Sequence, residues 1–221
     1  MAADKINDMI TIQNSAPQWR NAPVGLTPEE FENPYDVLVH FFYPSNYLCR
    51  YRKWLERWLI AAIEDNNKWK RDKLIRCIYT FQRMGQMLDA LWIIYQRGDR
   101  LTKEETSIRG GIDTPYYEWS NYILDAMKWF NYKDDDFELQ ELTTGEEQEP
   151  FLVVDEFFAS RDVFDAKQTL DFWCHSAIVN SWEYSTMDVK ELYDFYKEMI
   201  RLIEAVFVIV EVRALRDIKK T

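Results

Sequence analysis

Glycine is scarce in this chain, with six in 221 residues. Gly25, Gly85, Gly98, Gly110, Gly111 and Gly145 are too dispersed to form a P-loop or a GxGxxG turn, which excludes the standard phosphate cradles. Only two histidines occur, His40 and His175. Neither sits in an HExxH motif or has the ExxH partner of carboxylate di-iron bundles, and no Arg precedes a His by the four to six residues of a helical ribonuclease motif. A GxSxG nucleophile elbow is absent. The three cysteines, Cys49, Cys77 and Cys174, are odd in number and include no CxxC pair. That pattern argues against a disulfide framework and leads us to expect reduced thiols in the cytoplasm. The N-terminus has no basic region followed by an apolar run, so no secretory leader is expected. Long apolar runs are missing too. The best candidate, residues 205–210, is closed by Glu204 and Glu211 and falls far short of a span of about 20 residues, so no membrane partner is expected.

Acids and aromatics, by contrast, are plentiful. The formal net charge is -11, and aromatic residues make up 16% of the chain, with 9 Trp among them. An acidic surface repels nucleic acid and anionic lipid. A surplus of large flat side chains serves either a thick core or an interface. The charge is unevenly spread. Residues 133–156 hold ten acids against one lysine, whereas residues 50–83 hold ten bases against four acids.

Periodicity along the chain predicts an all-α protein, a bundle of about five long helices plus short ones. Residues 1–26 read as a polar, extended N-terminal arm that Met9, Ile10, Ile12 and Trp19 could tack onto the body, and residues 27–221 as a single helical-bundle domain. Thr27-Pro28-Glu29-Glu30 has the form of a capping box with proline at the first helical position. A short helix follows from Pro34 to about Tyr43, then one from Asn46 to about Asp65 with Leu48, Tyr51, Leu55, Trp58 and Ala62 on its seam. The next spans about Lys68 to Arg97, with Leu74, Ile78, Phe81, Gly85, Leu88, Trp92 and Tyr95 as its seam and Gly85 as a point of close helix approach. A fourth long helix starts at Pro115 and carries Trp119, Ile123, Ala126 and Phe130. Residues 133–156 read as an exposed acidic loop. Helix resumes from about Asp162 to Trp182. A last helix, capped by Ser185-Thr186, carries two apolar stripes: Leu192, Tyr196, Met199, Ile203, Val206 and Val210, and beside them Phe195, Leu202 and Ile209. Such a helix lies at the centre of a bundle or turns one stripe to a partner.

Three sets of residues are candidates for function. Asp36 and His40, and likewise Asp171 and His175, are spaced by four, which stacks each pair on one helix face. Two such helices facing each other would offer two imidazoles and two carboxylates to a divalent metal such as Zn, Fe or Mn, which could activate water. The competing reading is an aspartate orienting its neighbouring imidazole, which is the commoner outcome in an acid-rich chain. Arg50, Lys53, Arg57, Lys70 and Arg71 form a basic hairpin that could hold a phosphate backbone, or serve as a solvated face complementing the acidic segment. Trp54, Trp69, Phe195, Leu202 and Ile209 are candidates for a protein interface, since not all the tryptophans of adjacent helices can point inward.

The leading functional expectation is therefore a non-enzymatic helical protein–protein interaction module: an adaptor, an accessory subunit or a self-assembling unit. No cofactor is expected under that reading. The second is a metal-dependent, hydrolase-like enzyme using the two Asp/His pairs, and the third a nucleic-acid-binding protein using residues 50–83, which the net charge disfavours.

Overall fold

A computed structural model of the chain describes residues 21–42, 48–64, 69–101, 139–179 and 188–219. Among these residues the protein is all-α, with eight helices and no strand. The expected helix at 115–130, the cap at Ser185-Thr186 and the apolar positions of the arm before residue 21 lie outside the described residues.

The first two helices, α1 (Pro28–Glu32) and α2 (Pro34–Phe42), begin as their sequences dictate. The Glu30 amide donates to Thr27 Oγ1 at 3.2 Å, and the Thr27 amide donates to the Glu30 carboxylate at 2.8 Å, closing the capping box. The expected arm is docked at its last residues. The Gly25 amide donates to Asp89 Oδ2 at 3.1 Å, and a Cβ at Gly25 would lie 2.7 Å from the same oxygen, so any larger residue would have to displace the Asp89 carboxylate.

Next come α3 (Leu48–Ile63) and α4 (Arg71–Arg97). All five expected seam residues of α3 are buried. The α4 helix ends at Gly98, whose left-handed φ of 67° brings its amide to the Ile94 and Tyr95 carbonyls. Its buried face is turned away from the expected seam, of which Leu88 and Trp92 are buried and Leu74, Phe81, Gly85 and Tyr95 are half-buried. Cys77, Thr80, Met84, Met87, Leu88, Leu91 and Ile94 point inward, while Ile78 is exposed. Both stripes repeat at helical spacing, and the neighbouring helices decide between them. Gly85 consequently faces open space rather than a closely approaching helix.

The segment expected as an acidic loop, residues 133–156, is helical in much of its described part. It contains α5 (Thr144–Gln148) and the first six residues of α6 (Phe151–Ser160). Thr143 and Glu146 form a second capping box, and Phe151, Val153, Val154, Phe157 and Phe158 of α6 are buried. The acids are matched by cations from elsewhere in the fold: Arg201 bridges Glu146 and Glu156, Lys197 pairs with Glu141, and Arg100 pairs with Asp155. A count of charge within the segment cannot register these partners.

The remaining helices are α7 (Val163–Val179) and α8 (Val189–Lys219). The α8 helix is the axis of the bundle and packs against α2, α3 and α6. Both of its apolar stripes are buried, apart from the partly buried Tyr196. Its edge contacts include Phe207 against Phe42 of α2 and Phe195 against Trp173 of α7. At its middle the fully buried Glu204 accepts hydrogen bonds from the amides of Gln140, Glu141 and Leu142 and pairs with Arg52 of α3. One carboxylate thus joins α3 and the entry to α5 to the central helix, with its charge and lone pairs satisfied.

The α4 and α7 helices run antiparallel. Near one end the Trp69 indole N–H donates to the Ala177 carbonyl at 2.6 Å. Further along, Lys167 reaches Asp89 at 2.8 Å.

Candidate functional site: an apolar and basic face on helix α4

None of the three candidate sets survives folding unchanged. Asp36 and His40 lie exposed on α2, and Asp171 and His175 exposed on α7. Among the described residues no three His, Cys, Asp or Glu side chains gather into a group able to hold a metal ion. The two i,i+4 pairs therefore remain separate features of two surfaces, because α2 and α7 turn these faces to solvent rather than toward each other.

The expected interface residues are also placed differently. Phe195, Leu202 and Ile209 are in the core. Trp54 is buried as well and stacks on the partly buried Trp69, with ring centroids 6.1 Å apart. The Trp69 indole N–H is satisfied by Ala177, so this tryptophan closes the seam between α3, α4 and α7 from inside. Trp58 meets Trp173 edge-on at 5.6 Å. Stacked and edge-to-face pairing across the helix seams is how Trp54, Trp58, Trp69 and Trp173 are accommodated inward.

The basic stretch is thinned by internal pairing. Arg52 is engaged by Glu204, Arg83 reaches Gln86 at 3.2 Å, and Arg57 lies over the Trp54 ring at 5.6 Å. Arg50 is half-buried, while Lys53, Arg57 and Lys70 are exposed. Arg71 opens α4, and its side chain lies outside the described residues.

The exposed apolar surface lies on the N-terminal half of α4. Ile75 is 60% exposed, Ile78 43% and Tyr79 51%. These positions step by three and four along one face, opposite Cys77, Thr80 and Met84, which point inward. Lys73 and Arg76 are exposed in the same turns, and Lys70 is exposed just before them. A solvated helix would be polar on this face. The sequence already contained the signal, since Ile75, Ile78 and Tyr79 fall on a second apolar stripe opposite Cys77 and Thr80. What it lacked was any indication of which stripe the bundle would cover.

A shallow groove between α6 and α8 is lined by Val153, Glu156, Phe157, Ser160, Glu198 and Arg201. Its charges are paired. Arg161 binds Glu198, and Arg201 spans Glu146 and Glu156. Burial raises the Glu198 carboxyl above its ordinary value, against the opposing pull of Arg161. At Glu146 burial is outweighed by the hydrogen bonds from Arg201 and Thr143, which hold that carboxyl low. The arrangement clamps α5 and α6 onto α8.

The Asp89 carboxylate, fully buried on α4, accepts from Lys167 and from the Gly25 amide. Burial raises its pKa despite these partners. It ties the docked arm, α4 and α7 together at the end of α4 that is fully packed. Among the described residues no helix is long and apolar enough to cross a membrane. No family model, no curated protein and no solved structure matches the chain.

Proposed function

We propose that this protein works by binding another protein, and that the docking surface is the outward face of α4 formed by Ile75, Ile78 and Tyr79. The observation that carries the reading is a helix apolar on two opposite faces, of which the described residues of the bundle cover only one. Contiguous exposed apolar side chains of this kind mark association sites rather than ordinary surface. Each isoleucine left half in water forgoes about 1 kcal/mol of burial, which a partner would recover.

The partner's chemistry follows from the rim. Lys73 and Arg76 are exposed in the same turns as the apolar stripe, and Lys70 just before them. The fitting occupant is a protein surface that presents apolar side chains bordered by carboxylates. It explains an apolar centre, which nucleic acid would not need, together with a basic rim inside a chain of net charge -11.

A photo-crosslinking amino acid placed at Tyr79 in the source cells tests the reading. The expected adduct joins this position to a partner segment rich in Asp, Glu and apolar residues. Ile75→Glu should abolish the adduct, and Lys73→Glu combined with Arg76→Glu should weaken it strongly. An adduct only to further copies of this chain would replace the proposal with self-association. No adduct, or one unaffected by these substitutions, would remove it.

A further inference from the structure

We propose that Cys77 and Cys174 are a dithiol that closes to a disulfide on oxidation, stapling the N-terminal half of α4 to α7. Both thiols are free and buried on facing helices, and the Cys174 thiol lies within hydrogen-bonding reach of Cys77. Contacts on either side hold their register. Trp69 is bonded to Ala177 beyond one end of the pair, and Lys167 to Asp89 beyond the other. The two helices cannot slide past each other without breaking one of these. Cys49 is on α3 and only half-buried.

In the closed bundle the pair is unreactive. The neighbouring Cys77 thiol, burial and the charge of Asp171 all push the Cys174 thiol up, so thiolate is scarce. Reaction requires this half of α4 to lift, and it is built to do so. Between residues 73 and 83 only Cys77 and Thr80 are fully covered, so few buried contacts resist local opening.

The oxidant class is a small disulfide such as oxidised glutathione. The Cys77 thiolate attacks one sulfur of that disulfide, forming a mixed disulfide and releasing one glutathione thiolate. The Cys174 thiolate then attacks the Cys77 sulfur, forming the intramolecular bond and releasing the second. Two electrons pass to the small disulfide. The two protons lost by the cysteines end on the two glutathione molecules. The bond would close a loop of nearly a hundred residues and restrict the unfolded chain accordingly. No partner protein is needed, so this inference stands or falls separately from the docking surface.

The test uses the full chain with Cys49→Ser, incubated with oxidised glutathione across urea concentrations below the unfolding midpoint. Intact mass and non-reducing peptide mapping are then recorded, with mapping of the unsubstituted chain alongside. The expected result is loss of two hydrogen atoms, a linked Cys77–Cys174 peptide in both proteins, and a melting temperature higher by about 10 °C that dithiothreitol reverses. Cys77→Ser and Cys174→Ser should each stop at a glutathione adduct. Persistent adducts on the intact pair would overturn the proposal. So would two thiols that alkylate with maleimide in the same urea but never join, since the sulfurs would then not meet.

Discussion

The two halves of α4 share one helix and both carry many apolar residues, the C-terminal half more of them, but they live in different surroundings. From Met84 to Ile94 the chain is almost wholly covered, with Met84, Met87, Leu88, Leu91 and Ile94 fully buried and Asp89 sealed among them. From Lys73 to Arg83 only Cys77 and Thr80 are covered, and three large apolar side chains face outward. The difference is one of neighbours. Among the described residues the C-terminal half is reached by Gly25 and by Lys167 of α7 at Asp89 and by Phe158 of α6 at Trp92, whereas beside the N-terminal half Ala177 of α7 accepts from Trp69 and Trp54 of α3 stacks on the same ring. Apolar content therefore fills the core in one half and stays exposed to solvent in the other.

The comparison can be broken most strongly in the packed half. Leu91→Ala removes a fully buried side chain among close-packed neighbours and should cost about 3–4 kcal/mol. Urea unfolding followed by circular dichroism measures it, and a cost below about 1 kcal/mol would mean that this half is not core. Glu204→Gln comes next. It removes the charge that three amides and Arg52 share inside the bundle, and should destabilise by about 2–3 kcal/mol. Hydrogen exchange would then show residues 140–148 losing protection before α4 does.

The sign of the pH response at Glu146 provides a third check. Its folded pKa lies below the ordinary value of 4.5, so its contribution is complete above that value. The contribution is lost as pH falls through the lowered folded pKa. Glu146→Gln should thus flatten the acid limb of the stability curve while leaving its neutral plateau nearly level with that of Arg201→Gln. A limb of unchanged slope would show that the Arg201 contact does not form. The smallest effect on stability belongs to the exposed half of α4. Ile75→Ser should change unfolding free energy by no more than about 0.5 kcal/mol while abolishing partner capture. Destabilisation by several kcal/mol would show instead that the outward face is covered in the native protein.

Much of the architecture was legible beforehand. Capping chemistry placed the start of α1, since Thr27, Pro28 and Glu30 satisfy the first orphan amides wherever the helix ends up. The seam of α3 was recovered residue for residue. The candidate sites were not, and the failures share a cause. Trp54 and Trp69 are interface candidates in the sequence because not all the tryptophans of adjacent helices can point inward, yet the two stack across two elements. Phe195 and Leu202 were expected at an interface because α8 has two stripes, but the surrounding helices cover both.

By itself the amino-acid sequence determined the helical class, the cap of α1, the end of α4 at Arg97 and the two apolar stripes of α8. Each of these depends on contacts within a few residues or on periodicity along one helix. Only the tertiary structure decided which stripe of α4 faces inward, that the acids of residues 139–156 find cations on α8 and beyond, and that Asp36, His40, Asp171 and His175 stay exposed on two separate helices. Those outcomes depend on pairings between residues dozens of positions apart. Helical periodicity fixes an angle around one axis, and it carries no information about which neighbour will be found there.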